Sequence, residues 1–250
     1  LSPEMIRAHR LNPDITGNVL ANPTVRLRID DGRNFMTMSN KKFDMVTADP
    51  IHPRITGVGY LYTNKYYQVL KKRLRTGGMV AQWMPLYSIS KRSFDVALRT
   101  FFSVMPNASF WYVRGNGILI STSDELRVDY ADLADRFNHP TVRADMVSIG
   151  IKTPEELLGH LLMDSKHIRT YLKEVGDSPI NTDDNAYLEY HTPFELLEKT
   201  ETIVEALLSH AGWDIEGILV NSGPGVRDRV RAATSRRRAR ILPELSEPIH

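Results

Sequence analysis

The chain has 250 residues, 42% apolar and 25% charged, which suits one large or two modest globular domains and excludes a disordered or collagen-like chain. With 32 Lys and Arg against 30 Asp and Glu, its formal charge of +2 gives the whole molecule no electrostatic bias toward nucleic acid. There is no cysteine, so disulfides, thiolate metal sites and cysteine nucleophiles are all excluded.

Leu1-Ser2-Pro3-Glu4-Met5 reads as a connection entering a helix, with Pro3 in its first turn. Because residue 1 is Leu, the natural beginning is expected upstream. Residues 24–29 (TVRLRI) alternate as a strand, 33–39 offer one or two helical turns, and 43–48 (FDMVTA) form a buried strand. The Pro- and Gly-rich residues 49–59 are a loop. Thr63 then caps a helix to about Leu74, with Tyr66, Tyr67, Val69, Leu70 and Leu74 toward the core and Lys71, Lys72 and Arg73 at its cation-preferring end. Gly77-Gly78 stop it. A strand over 79–84, a helix over 90–102, and a hairpin of 109–113 with 117–122 through Arg114-Gly115-Asn116 complete an α/β domain over 1–123. Its sheet is expected to be mostly parallel, with an antiparallel edge.

Beyond Ser123 the periodicity is helical over 124–137, 154–163, 165–175, 193–210 and 226–240, so 124–250 is read as a mainly helical extension. No apolar run approaches the ~20 residues needed to cross a bilayer. Residues 226–240 hold seven arginines against Asp228, a local charge of +6. Such a run is a solvated helix face or, alternatively, an anionic-partner surface; without interleaved aromatics, no nucleic-acid partner is expected.

In open α/β sheets ligands gather beyond the carboxyl ends of the strands, which selects Asp31-Gly32, 49–52 and 82–87. Asp49 directly follows a strand and opens the Pro/Gly loop, where a carboxylate is positioned, partly desolvated and available as a base. The alternative is a turn former. Tyr87, His52 and Gln82 are candidates for the substrate side of the same strand ends.

The string Phe43-Asp44-Met45-Val46-Thr47-Ala48-Asp49-Pro50-Ile51-His52-Pro53, with Leu61-Tyr62-Thr63, Tyr66-Tyr67, Gly77-Gly78, Gln82 and the upstream Asp30-Asp31-Gly32, resembles the spermidine synthase family of polyamine aminopropyltransferases over about residues 1–122. The resemblance implies a Rossmann-like, methyltransferase-type fold lacking its N-terminal part. It implies Asp49 as the catalytic carboxylate, Asp31 and the Gly32 backbone as the adenine contacts, and Gln82 near the amine. The donor it implies is decarboxylated S-adenosylmethionine, a co-substrate, with no cofactor and no metal. The expected reaction is aminopropyl transfer to an amine with release of methylthioadenosine; alternatives are S-adenosylmethionine-dependent methyl transfer on the same architecture and a non-catalytic polyamine- or nucleoside-binding homologue. An interaction module over 193–250 is a further alternative.

Two departures from the family pattern stand out. A second acid usually lies three residues after the catalytic one, where this chain has His52; neutral imidazole supplies no negative charge, which puts a putrescine-like acceptor in doubt. His52 is then either a proton acceptor or an exposed loop histidine. The Gly-rich turn and the ribose-binding acid are expected before Leu1, so the isolated fragment is expected to bind donor poorly and to be inactive. Asn181-Thr182-Asp183-Asp184-Asn185 is similar to a segment of bacterial spermidine-synthase-like proteins that often carry a membrane region; its acids either receive a cationic amine or form a turn. The resemblance also implies a homodimer, located in the cytoplasm or at the cytoplasmic face of a membrane if an upstream region tethers it.

Overall fold

Prolines at helix starts and short polar caps set the local structure of the first 41 residues. The computed structural model describes residues 3–48 and 51–245, and its contacts divide into two units, Leu1–Lys41 and Lys42–His250. The first unit contains α1 (Pro3–Leu11), α2 (Pro13–Thr16) and α3 (Gly32–Met38). Residues 24–29 do not form the expected strand: they have no strand partner among the described residues, and Val25, Leu27 and Ile29 remain exposed. Alternation alone does not make a strand when no neighbour accepts its backbone hydrogen bonds.

The second unit begins with β1 (Phe43–Ala48), α4 (Asn64–Arg73), β2 (Leu74–Pro85), α5 (Lys91–Val104), β3 (Ser109–Val113) and β4 (Asn116–Thr122). Thr63 and Ser90 cap α4 and α5, their hydroxyls accepting from the Tyr66 and Ser93 amides. Left-handed Arg114 and Gly115, at φ 43° and 74°, close the β3–β4 hairpin. Then follow β5 (Val128–Asp129), α6 (Tyr130–Asn138), α7 (Pro140–Ser148), α8 (Pro154–Leu158), β6 (Leu161–Met163), α9 (Ser165–Glu174), α10 (Tyr187–His191), α11 (Thr200–Ser209), α12 (Ile215–Ile218), β7 (Leu219–Val220) and α13 (Val226–Leu245). The α/β class and the helical C-terminal region are therefore present.

The five-stranded sheet has the order β1-β2-β4-β3-β6. β1 and β2 are parallel, joined through the α4 crossover, while β2–β4, β4–β3 and β3–β6 are antiparallel. Strands β1, β2 and β3 thus share one direction, and the antiparallel part is larger than the single edge expected. Two elements enlarge it: the tight hairpin inserts β4 between β2 and β3, and β6 joins β3 from residues read as helix. Helix α8 stops at Leu158, and Leu161-Leu162-Met163 are all buried, as suits a short run covered on both faces. β1 is exposed where a buried strand is expected, with Met45 52% accessible, because among the described residues it pairs only with β2.

Phe94 of α5 packs edge-on to Phe110 on one face of β3, and Tyr67 of α4 meets Phe101. Trp111, on the other face of β3, packs against a second cluster formed by Leu158, Leu161, Trp213, Ile218, Leu219, Val226 and Val230. α13 lies on this second cluster through Val226 and Val230. Its arginines are largely held by acids: Arg229 by Glu155, Arg231 by Asp228 and Glu216, Arg227 by Glu216, and Arg237 by Glu244. Among the described residues, no helix is long and apolar enough to cross a membrane.

Candidate functional site

The parallel pair fixes where the loop begins. Ala48, the last residue of β1, is in register with Gln82 of β2. Asp49, the residue expected to carry catalysis, follows Ala48 in sequence and, with Pro50, lies outside the described residues. Gln82 is 1% exposed; its amide nitrogen donates to the Trp83 carbonyl at 3.1 Å, and its Oε1 has no hydrogen-bond partner among the described residues. A buried acceptor therefore stands at the strand end that sequence reasoning selected. An acceptor so placed is costly unless a donor reaches it.

His52 is 5% exposed, which excludes the exposed-loop alternative. The Arg54 amide donates to its Nδ1 at 3.2 Å, so the proton sits on Nε2 and is donated to the Tyr87 carbonyl at 2.9 Å. Both ring nitrogens are engaged, leaving no lone pair for an incoming amine. Burial lowers the pKa below the ordinary 6.5, and Arg54 adds to this; the Tyr87 carbonyl and Glu195 oppose it. The His52, Trp83 and Tyr87 rings lie 5.4 to 6.3 Å apart, a neutral aromatic cluster in which only Tyr87 is substantially exposed.

Residues distant in sequence hold this loop. The Glu189 carboxylate accepts from the Gly57 amide at 2.6 Å and the Gly59 amide at 3.1 Å. Gly59 is required by the approach: a Cβ there would stand 2.8 Å from the Glu189 backbone nitrogen. Asn181, fully buried, donates from Nδ2 to the carbonyls of Gly59 and Tyr62 and accepts from the Leu188 amide. Its backbone receives the Asn64 amide at the start of α4. The Tyr62 hydroxyl lies within reach of the Ile51 and Trp83 carbonyls, tying the far end of the loop to β2. Glu195 takes the Ser90 amide and the Ser90 and Ser93 hydroxyls at 2.7 to 2.8 Å, capping α5 from a separate segment. Sequence reasoning assigned no role to Glu189 or Glu195. Their partners lie more than a hundred residues away, and no local pattern signals such pairings.

Asp31 and Gly32 belong to the first unit. Asp31 caps α3, accepting from the Asn34 amide at 2.7 Å, and Gly32 is the first residue of that helix. The Asn181–Asn185 segment is a turn: the Thr182 and Asn185 side chains exchange hydrogen bonds with each other's amides. Asp183 lies 3.8 Å from Lys65.

Residues 2–114 match the family model of the spermine/spermidine synthase domain. A polyamine aminopropyltransferase of Korarchaeum cryptofilum (strain OPF8) is 32% identical over 68 residues, 27% of this chain and 21% of that protein. Another, of Hamiltonella defensa subsp. Acyrthosiphon pisum (strain 5AT), is 36% identical over 61 residues, 24% of this chain and 21% of that protein. The chain thus matches about a fifth of the length of these curated relatives. A solved spermidine synthase in complex with the transition state analogue AdoDATO is similar with a TM-score of 0.41 and 18% identity, covering 49% of this chain and 42% of that one.

Proposed function

We propose that this chain, whose residues 2–114 match the spermine/spermidine synthase domain model, takes part in aminopropyl transfer from decarboxylated S-adenosylmethionine to an amine. The observation that carries this reading is the buried Oε1 of Gln82, without a hydrogen-bond partner among the described residues, at the carboxyl end of the parallel pair and in register with the residue before Asp49. An acceptor there suits an N–H of an incoming amine. A primary alkylamine is mostly protonated near neutral pH, since its pKa is about 10. In the proposed reaction Asp49 orients the ammonium and takes its proton. The freed nitrogen attacks the carbon beside the sulfonium, the C–S bond breaks, and methylthioadenosine leaves with the bonding pair. Alignment of nucleophile, carbon and sulfur can contribute ~7 kcal/mol or more in well-oriented systems. Asp31 and Gly32 are assigned to the adenine, and Tyr87 to the acceptor side. His52, neutral and internally bonded, offers no carboxylate to the second cation of a putrescine-like acceptor.

Incubation of the full-length protein, including the segment upstream of Leu1, with decarboxylated S-adenosylmethionine and a panel of amines tests the reading. Release of methylthioadenosine is expected, with turnover abolished and donor affinity kept in Asp49→Asn. Release of S-adenosylhomocysteine from S-adenosylmethionine would replace it with methyl transfer. The occupied nitrogens of His52 favour a second reading, a polyamine- or nucleoside-binding homologue without turnover, which amine affinity with no thioether release would establish.

A further inference from the structure

Arg99, Phe102 and Ser103 stand at i, i+3 and i+4 on α5, and Arg169, Leu172 and Lys173 repeat that spacing on α9. Residues so spaced share a helix face, and here both faces line one groove of about 460 Å³. Among the described residues, no Asp or Glu lines it. Arg99 is anchored by donating to the carbonyls of Leu172, at 2.7 Å, and Gly176 at the end of α9, and its Nε is buried with no hydrogen-bond partner. The Arg169 guanidinium lies 5.9 Å from the centre of the Phe102 ring. Glu174, next to Lys173, is bonded to His210 at 2.7 Å. The groove therefore differs from α13, where carboxylates hold most of the arginines.

Three cations on one apolar groove repel each other, and among the described residues no carboxylate lines the groove beside them. Guanidinium groups in particular match phosphate and carboxylate geometry. From this we infer that the α5–α9 groove is a binding site for a small amphipathic anion. Its phosphate or carboxylate head is received by Arg169 and Lys173, with the anchored Arg99 adding positive charge beside them, and its apolar body rests on Phe102 and Leu172. This inference stands independently of aminopropyl transfer.

Calorimetric titration of the full chain with octyl phosphate below its micellar concentration tests it, alongside inorganic phosphate and neutral octyl glucoside. Saturable binding of octyl phosphate is expected, at least about tenfold tighter than either control. Arg169 and Lys173 are both exposed, so Arg169→Glu with Lys173→Glu should keep the melting temperature while weakening octyl phosphate by about tenfold or more. Equal binding of octyl glucoside, undiminished binding by the double variant, or no saturable response would overturn the site. Capture by phosphatidylglycerol vesicles without a response to octyl phosphate would also overturn it, in favour of a membrane surface. Inorganic phosphate binding as tightly as octyl phosphate would remove the apolar half of the inference.

Discussion

The position of the Pro/Gly loop rests on one carboxylate. Glu189 receives the amides of Gly57 and Gly59, and hydrogen bonds to a charged partner contribute about 1.5–3 kcal/mol each when well formed. In Glu189→Gln one acceptor oxygen becomes an NH2 group that faces an N–H donor. We expect a loss of about 1–2 kcal/mol in chemical denaturation. Gly59→Ala presses a methyl group onto the Glu189 backbone nitrogen, 2.8 Å from the ideal Cβ, and overpacking of this kind costs about 1–3 kcal/mol. Since both changes break the same contact, the double variant should lose less than the sum of the two. Strict additivity in denaturation midpoints would show that Glu189 and Gly59 act separately.

Among elements, α5 shows which structural information is local. Ser90 is a legible N-cap, and its hydroxyl does accept from the Ser93 amide at 3.1 Å. Glu195 adds three hydrogen bonds to the same helix end, and no spacing in the sequence announces it. Glu195→Ala should destabilise the chain by about 1–2 kcal/mol, as loss of a helix cap does, and raise hydrogen exchange of the Ser90 amide, which donates to Glu195. Unchanged exchange there would mean that Ser90 alone caps the helix. The same division runs through the candidate site. Thr63, the Pro/Gly loop and the position of Gln82 follow from caps, turn residues and strand ends. β6 does not: Leu161-Leu162-Met163 carries too short an apolar run to separate strand from helix, and its partner β3 is remote in sequence. Asn181 lies in a readable turn, yet its side chain serves carbonyls of Gly59 and Tyr62, some 120 residues earlier.

Across the whole molecule, three histidines titrate in opposite senses. Burial lowers the pKa of His52, beside Arg54 and Glu195, and of His160, whose neighbours are Arg237, Glu244 and Arg114. The Ala206 carbonyl and then Glu174 raise that of His210, against burial and Lys91. Below the ordinary value of 6.5 the unfolded chain protonates His52 and His160 while the folded chain resists. Their contribution is therefore complete above 6.5 and is lost as pH falls toward their folded pKa values. His210 acts conversely: the folded chain holds its proton above 6.5, so its contribution is complete below 6.5 and is lost as pH rises through its raised pKa. Most carboxylates titrate near pH 4, well below this window. Denaturation midpoints measured from pH 5 to 8.5 should therefore pass through a maximum near 6.5. His210→Gln should flatten the alkaline side, and His160→Gln should reduce the slope on the acid side. A stability that rises steadily from pH 6.5 to 8.5 in the unsubstituted chain would show that the His210–Glu174 pair, at 2.7 Å, does not join α11 to α9 in solution.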